Sequence, residues 1–458
     1  MRHPRTGGPR FLGTSLRHWL APGLGIKRWL IAVLIGELML ALAGAFVLKQ
    51  VYRDVTLEGP LQGILYVATL QFLPYVARAV PLLILGLLLF AVSVRQLVRV
   101  ILAPFGERSE PLVEVIYQKR YLARGPRIVA LGGGTGLSTL LRGLKEHSSN
   151  ITAIVAVADD GGSSGKLREE LGIAPMGDIR NCVAALADAE PLMTRLLQYR
   201  FPDESDAGRS DGLPGGPGVA GHSFGNLFIA AMSAIEGDFE EGVRQSNRVL
   251  AVRGQVVPAA PSPLTLHARL RDGRLLDGQS AIARAVGIEH VWVTPADARA
   301  SREALEAIAQ ADLIVLGPGS LYTSLLPSLL LPDLRDAIAA SHALRLYVCN
   351  VATQVGETEG YGLADHLAAI DAHAGPGLLD VVLANDNLTA RAAPGDRGVP
   401  VRLDWQAPPG EHPLLVTRDV VDAENAHRHD SITLAAAIMA ICQERAVLRR
   451  PLTVARSA

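Results

Sequence analysis

Cysteine is scarce in this chain. Its three residues, Cys182, Cys349 and Cys442, lie far apart and are odd in number. That argues against a disulfide framework or a cysteine-ligated metal, and for reduced thiols in a cytosolic domain. An excess of charge of one sign is equally lacking. Lys and Arg total 44 against 45 Asp and Glu, a net charge of −1, so no overall field favours nucleic acid. The 12 histidines offer no pair spaced to share one face, which leaves histidine-based metal binding without support. Aromatic residues make up only 5 % of the 458 residues, whereas glycine, at 45, is plentiful. No internal repeat is evident, and length alone allows two or three domains.

The first hundred residues differ from the rest. Met1 to Arg28 carries six Lys and Arg and no acid, and reads as a basic cytoplasmic N-terminus. Trp29 to Leu48 then gives 20 nearly uninterrupted apolar residues, enough to cross a bilayer core of roughly 30 Å. Glu37 is the one charge inside it, at an insertion cost of a few kcal/mol unless paired or protonated. A second apolar region, Leu61 to Val94, is strongest from Ala79 and reaches full length if extended back to about Phe72, with Arg78 near one interface. No small-residue cleavage site clearly follows Leu48, which weighs against a signal peptide. Arg95, Arg99 and Arg108 follow the second segment, while Lys49 to Pro60 balances two bases with two acids. The positive-inside rule therefore places both ends in the cytoplasm. Residues 29–102 are expected to form a membrane region with two transmembrane helices, anchored through 29–94, and 103–126 a linker carrying three prolines and a short helix at Val113–Tyr121.

From Arg127 to about residue 450, strand-like runs alternate with helix-like ones, the pattern of a parallel sheet covered by helices. Strands are expected at Arg127–Leu131, Thr152–Ala158, His290–Thr294, Asp312–Leu316, Leu344–Asn350 and Asp380–Ala384. Leu264–Leu270 and Arg274–Gln279 flank Asp272-Gly273, a hairpin signal. Phe201 to Ala220, rich in Gly, Pro, Asp and Ser, reads as an exposed insertion. The expected fold is α/β, a Rossmann-like doubly wound, mainly parallel sheet with a β-hairpin embellishment.

Such sheets bind ligands beyond the carboxyl ends of their strands. The first of these ends is Leu131-Gly-Gly-Gly-Thr-Gly136, where a strand turns into a helix through glycines. Bare amides and the positive end of the helix dipole favour phosphate there. The spacing is not G-x-G-x-x-G, and no Gly-Lys-Ser/Thr follows, so neither a dinucleotide fingerprint nor a P-loop is present. The next end is Asp159-Asp160-Gly161-Gly162-Ser163-Ser164. One of its acids suits a ribose, or the pair suits Mg²⁺ beside phosphate, although Asp-Asp-Gly-Gly is also ordinary turn chemistry. Ser163 and Ser164 offer amides and hydroxyls to a second anionic group. In Gly177-Asp-Ile-Arg-Asn181, Asp178 is placed to cap a helix, and Arg180 to grip a phosphate with two N–H groups. Gly221-His-Ser-Phe-Gly225 contains G-x-S-x-G, but the insertion before it cannot supply the strand that a nucleophile elbow needs. A helix start with Ser223 and Asn226 facing a ligand is expected instead, and no catalytic residue is assigned. Later strand ends carry Gly319, Ser320 and Tyr322, then Asn350, Thr353 and Gln354, then Asn385 and Asp386. Uncharged amides among them suit a base or sugar. Arg428-His-Asp430 leads a last helix, Ser431 to Glu444, which Asp430 caps.

Taken together, Gly132–Gly136, Ala158–Arg168, Gly177–Asn181, Gly221–Asn226, Gly317–Ser324 and Tyr347–Thr358 resemble the bacterial gluconeogenesis-factor family. That family is also described as UDP-N-acetylglucosamine-binding proteins and is homologous to the phospholactate transferases of coenzyme F420 synthesis. The resemblance covers about Arg127 to Glu444; typical members begin near the glycine loop, so residues 1–126 are an addition. It implies a regulatory protein that binds a UDP-sugar, requires no cofactor, and serves cell shape and wall synthesis during gluconeogenic growth. It places Gly133, Gly134, Thr135 and Gly136 at the pyrophosphate. Asp159 and Asp160 would face the nucleotide or a metal, Asn226, Ser320, Tyr322 and Asn350 the sugar-nucleotide, and Arg428 would be the family's late arginine. Arg180, Asn181 and Gly319 complete the expected site. Expected partners are the nucleotide-sugar, the membrane, wall-synthesis proteins and a second copy of the chain, since dimers are common in the family. The other reading is a phospholactate-type transferase that joins a phosphate-containing acid to a second substrate, with Mg²⁺ on Asp159 or Asp160.

Overall fold

A computed structural model describes residues 121–188, 190–202, 219–389, 398–406 and 413–448. Before residue 121 it describes only Glu37, Leu38, Ala41, Ala45 and Lys49, all five helical. The two expected membrane spans thus lie almost wholly outside the described residues, as do most of the linker and the centre of the 201–220 insertion. Among the described residues no helix is long and apolar enough to cross a membrane.

Seven strands form one parallel sheet: β1 (Ile128–Gly132), β2 (Ile151–Val155), β3 (Gln255–Pro258), then β7 (Leu313–Leu316), β8 (Leu344–Val348), β9 (Val381–Asn385) and β10 (Leu414–Arg418). Their spatial order is β10-β9-β8-β7-β1-β2-β3. Every position of β1, β2, β7 and β9 is buried. That is why these runs read as continuously apolar, because a parallel sheet has helices on both faces. The chain steps outward from β1 to β3 and later returns to β7 on the other side of β1, where Ile128 pairs with Leu313. The strand order therefore reverses between β1 and β7.

Three shorter strands, β4 (Thr265–Leu270), β5 (Leu275–Asp277) and β6 (Ile288–Thr294), form a separate antiparallel sheet in the order β5-β4-β6. The expected hairpin is its β4–β5 pair, turning through Gly273 at φ 85°. The strand expected at His290–Thr294 is present, but it belongs to this sheet and runs antiparallel to β4. Apolar content marks a strand without saying which neighbour it pairs with. Two strands were not expected, β3 and β10, and both are sheet edges. Gln-Val-Val-Pro is short and followed by Ala-Ala-Pro-Ser-Pro, so its sequence reads as a loop; proline is tolerated at such an edge.

The helices that frame the site are α1 (Gly134–Leu144), α2 (Gly162–Leu171), α3 (Gly177–Leu186), α4 (Phe224–Glu236), α5 (Leu363–Ala374) and α6 (Ser431–Leu448). Helix α1 buries Leu137, Leu140, Leu141 and Leu144 at apolar spacings of three and four. Its Gly143 lies so close to the backbone of Ser431 and the Ala435 methyl that no side chain fits between α1 and α6.

Candidate functional site

A cleft of about 250 Å³ opens over the carboxyl ends of β1, β7 and β8, at the point where the strand order reverses. This is where open α/β sheets hold ligands, since loops leaving neighbouring strands part in opposite directions there. Its lining includes Gly133–Gly136 from the β1–α1 turn, Pro318–Ser320 and Ser324 after β7, Asn350–Ala352 and Gln354 after β8, and His427–His429 before α6.

Gly133 occupies the N-cap of α1 with extended backbone, and no side chain caps the helix, so its first amides lack an intrahelical partner. Gly136 is required by close approach: a Cβ there would stand 2.6 Å from the Pro318 carbonyl oxygen and 2.9 Å from Gly319 Cα. The two glycine-rich turns thus meet backbone to backbone. Asn350 clamps the second turn, accepting from Gly319 N–H (3.1 Å) and donating to Gly319 O (2.9 Å). Gln354 Nε2 donates to Ser320 Oγ at 2.8 Å, while its buried Oε1 has no partner among the described residues. Arg428 is the cation of the lining, which among the described residues contains no carboxylate. His429 is buried and donates from Nε2 to Cys349 O (3.2 Å); burial pushes it down to about 4, so it is neutral at physiological pH. Asp430 caps α6 as expected, accepting from Thr433 N–H at 2.8 Å.

Of the expected residues, Gly133, Gly134, Thr135, Gly136, Gly319, Ser320, Asn350 and Arg428 line this cleft together. Ser163, Ser164, Arg180, Asn181 and Asn226 meet elsewhere, in a hydrogen-bonded cluster built by the starts of α2, α3 and α4. Arg180 Nη1 donates to Ser223 Oγ (2.6 Å) and Asn226 Oδ1 (3.3 Å), and its Nη2 to Asn181 Oδ1 (3.2 Å). Asn226 Nδ2 is shared between Ser163 Oγ and Ser164 Oγ, both at 3.2 Å. His222 Nδ1 lies 3.2 Å from Ser163 Oγ. The arginine fork expected to grip a phosphate is thus engaged with neutral side chains, though its buried Nε has no partner among the described residues. Ser223 precedes α4 and forms only an isolated bridge with Arg200, with no regular strand directly before it among the described residues.

Asp178 joins the two groups. The N-cap of α3 is Met176, so Asp178 does not cap it; its carboxylate lies against Gly133 and accepts from Gly134 N–H. Burial, then the charge of Asp159, raises it to about 6. Asp159 is also raised, by burial foremost, and accepts from Gly161 N–H at 3.0 Å. Asp160 turns the other way and accepts from Ser280 N–H at 2.8 Å. The two adjacent acids therefore serve different neighbours. Among the described residues no three His, Cys, Asp or Glu gather where they could hold a metal, so any ion there would draw its other ligands from phosphate and water.

Tyr322 does not line the cleft. Its hydroxyl meets that of Tyr361 at 2.9 Å, and burial raises its pKa far above the usual tyrosine range. Two acids were missed from sequence. Local sequence offers Asp178 only a capping role, because its actual partner, the glycine loop, lies over 40 residues away. Glu357 received no role, yet it is buried and accepts from Tyr322 N–H (2.6 Å), Thr323 N–H (3.0 Å) and Thr323 Oγ1 (3.1 Å). The spacing of Glu357 from Tyr322 carries no local signal.

The family model for the 2-phospho-L-lactate transferase CofD matches residues 128–412. A putative gluconeogenesis factor of Nostoc sp. (strain PCC 7120) is 48 % identical over 414 residues, covering 88 % of this chain and 84 % of that protein. The gluconeogenesis factor of Bacillus subtilis (strain 168) is 48 % identical over 265 residues, 58 % of this chain and 80 % of its own. A crystal structure of a UPF0052-family protein from Bacillus halodurans superposes with a TM-score of 0.61 at 43 % identity, covering 69 % of this chain and 99 % of that one.

Proposed function

Because the chain belongs to the CofD family, alongside the gluconeogenesis factors, we propose that it binds UDP-N-acetylglucosamine in the switch-point cleft and acts as a regulatory protein rather than a catalyst. The observation that carries this is the composition of the cleft among the described residues: the uncapped helix-start amides of Thr135 and Gly136, no carboxylate in the lining, and one cation, Arg428. Such a lining favours a diphosphate over a cation or a neutral ligand. Ser320, Asn350 and Gln354 supply hydroxyl and amide groups for the base and sugar. The names of the relatives link the reading to gluconeogenic growth, where a sensor of wall-precursor supply would act on wall-synthesis partners and cell shape. Residues 29–94 would hold it at the cytoplasmic side of the membrane, as a homodimer, and membrane fractionation of the full chain tests that anchor.

A specific observation keeps a second reading in view. Asp178 sits directly behind the glycine loop, within reach of the charges of Asp159 and Arg180, and in a phospholactate-type transferase Asp159 or Asp160 beside it would hold Mg²⁺. Calorimetry on the detergent-solubilised full chain separates the two. Saturable heat with UDP-N-acetylglucosamine supports the sensor. No heat with that ligand, together with GTP-dependent release of pyrophosphate in the presence of a phospho-acid, overturns it.

A further inference from the structure

Leu321–Leu325 forms a π-helical turn with Ser320 at its N-cap. A serine in that position ordinarily turns its hydroxyl onto the amides two and three residues ahead, which have no intrahelical partner. Here it does not: Ser320 makes no capping bond, and its Oγ accepts from Gln354 at the wall of the cleft. The amides it would have capped, Tyr322 N–H and Thr323 N–H, are taken by Glu357 Oε1, with Thr323 Oγ1 on Glu357 Oε2. Glu357 is only 2 % exposed and forms no ion pair among the described residues. A carboxylate kept there without a cation costs stability unless its hydrogen bonds compensate. The same short segment holds the turn twice, through Gln354 and Glu357, and is itself closed by Thr358 Oγ1 accepting from Gln354 N–H at 2.9 Å.

We propose that Glu357 is a positioning residue of the switch-point cleft. By capping the π-helical turn from a neighbouring loop, it frees the Ser320 hydroxyl to face the ligand, and it fixes Ser324 one turn further along. Without it, Ser320 would rotate to cap its own helix and leave the cleft. This deepens the nucleotide-diphosphate reading and rests on it for the choice of probe.

The test is calorimetric titration of UDP-N-acetylglucosamine into the full chain carrying Glu357→Ala, Glu357→Gln, Ser320→Ala, or Ala at both positions. Glutamine keeps an acceptor for both amides and a donor for Thr323 Oγ1, so its affinity should stay within about threefold of the parent, whereas Glu357→Ala should lose about tenfold, the worth of a misplaced hydrogen bond. In the Ser320→Ala background, Glu357→Ala should cost no more than about twofold, because residues acting through one another are not additive. If Glu357→Ala does not fold, Thr323→Val removes one strut and should show the same non-additivity. Full affinity in Glu357→Ala, or losses that multiply, would overturn the proposal. Should the parent protein bind no UDP-N-acetylglucosamine, the ligand reading fails separately. The cap is then judged by hydrogen exchange at Tyr322 and Thr323: protection lost in Glu357→Ala and kept in Glu357→Gln supports it, and unchanged protection in both refutes it.

Discussion

Replacing Gly136 by alanine should damage stability and binding together. The added methyl would lie 2.6 Å from the Pro318 carbonyl oxygen, 2.8 Å from its carbon and 2.9 Å from Gly319 Cα. All three are backbone atoms, so no side chain can swing aside, and the two turns that wall the cleft must separate. Over-packing of this kind costs about 1–3 kcal/mol. Each kcal/mol lowers Tm by roughly 2–4 °C in a domain of 150–250 residues, and by the lower figure in larger ones, so a fall of about 2–6 °C is expected. Because separating the turns moves the glycine loop whose amides bind the anion, affinity for UDP-N-acetylglucosamine should fall at least about tenfold, beyond what lost stability alone would cause. Gly273→Ala is the control. Its hairpin turn has open space around the new methyl and a φ of 85°, so it should lower Tm slightly and leave affinity unchanged. Differential scanning calorimetry and isothermal titration read both quantities. A Gly136→Ala protein with unaltered Tm and affinity would refute the packing of these turns.

Other substitutions test the groups behind the loop. Asp178 is held at about 6 against an ordinary 3.8. The folded state therefore penalises its charge above pH 6, and the penalty disappears below pH 3.8, where both states are protonated. Asp178→Asn should raise stability by up to about 3 kcal/mol at pH 7.5, with the gain shrinking towards pH 4; a pH-independent effect in thermal scans would contradict the burial of that carboxylate. Arg180→Lys cannot reach Ser223, Asn226 and Asn181 at once, and should lose about 1–3 kcal/mol by urea denaturation, whereas a neutral result would show the cluster to be dispensable. Asn350→Asp removes the donor to Gly319 O and puts a negative charge in the anion cleft. It should abolish measurable nucleotide-sugar binding in calorimetry, and retained affinity would argue against a diphosphate there.

Much of the sheet could be read from sequence because parallel strands are continuously apolar and end in chemistry-bearing turns. Arg127–Leu131, Asp312–Leu316 and Asp380–Ala384 each fall within a residue or so of an observed strand. The edges could not. β3 is four residues beside prolines, and the expectation at His290–Thr294 gave no hint of its antiparallel partner. Glycine-rich turns at strand ends announced the cleft, and Gly133–Gly136, Ser320, Asn350 and Arg428 do converge there. What stayed hidden was the use of each polar side chain, which depends on partners distant in sequence. Asp178 underlies the glycine loop instead of capping its helix, Tyr322 turns to Tyr361, and Glu357 does the capping that Ser320 would ordinarily do.

The most direct measurement is a crystal structure of the protein grown with UDP-N-acetylglucosamine. The diphosphate should lie on the amides of Thr135 and Gly136 with Arg428 beside it and the sugar nucleotide along Ser320, Asn350 and Gln354. A nucleotide diphosphate seated instead among Asp159, Arg180 and Asn226, with the glycine-loop amides untouched, would contradict the account.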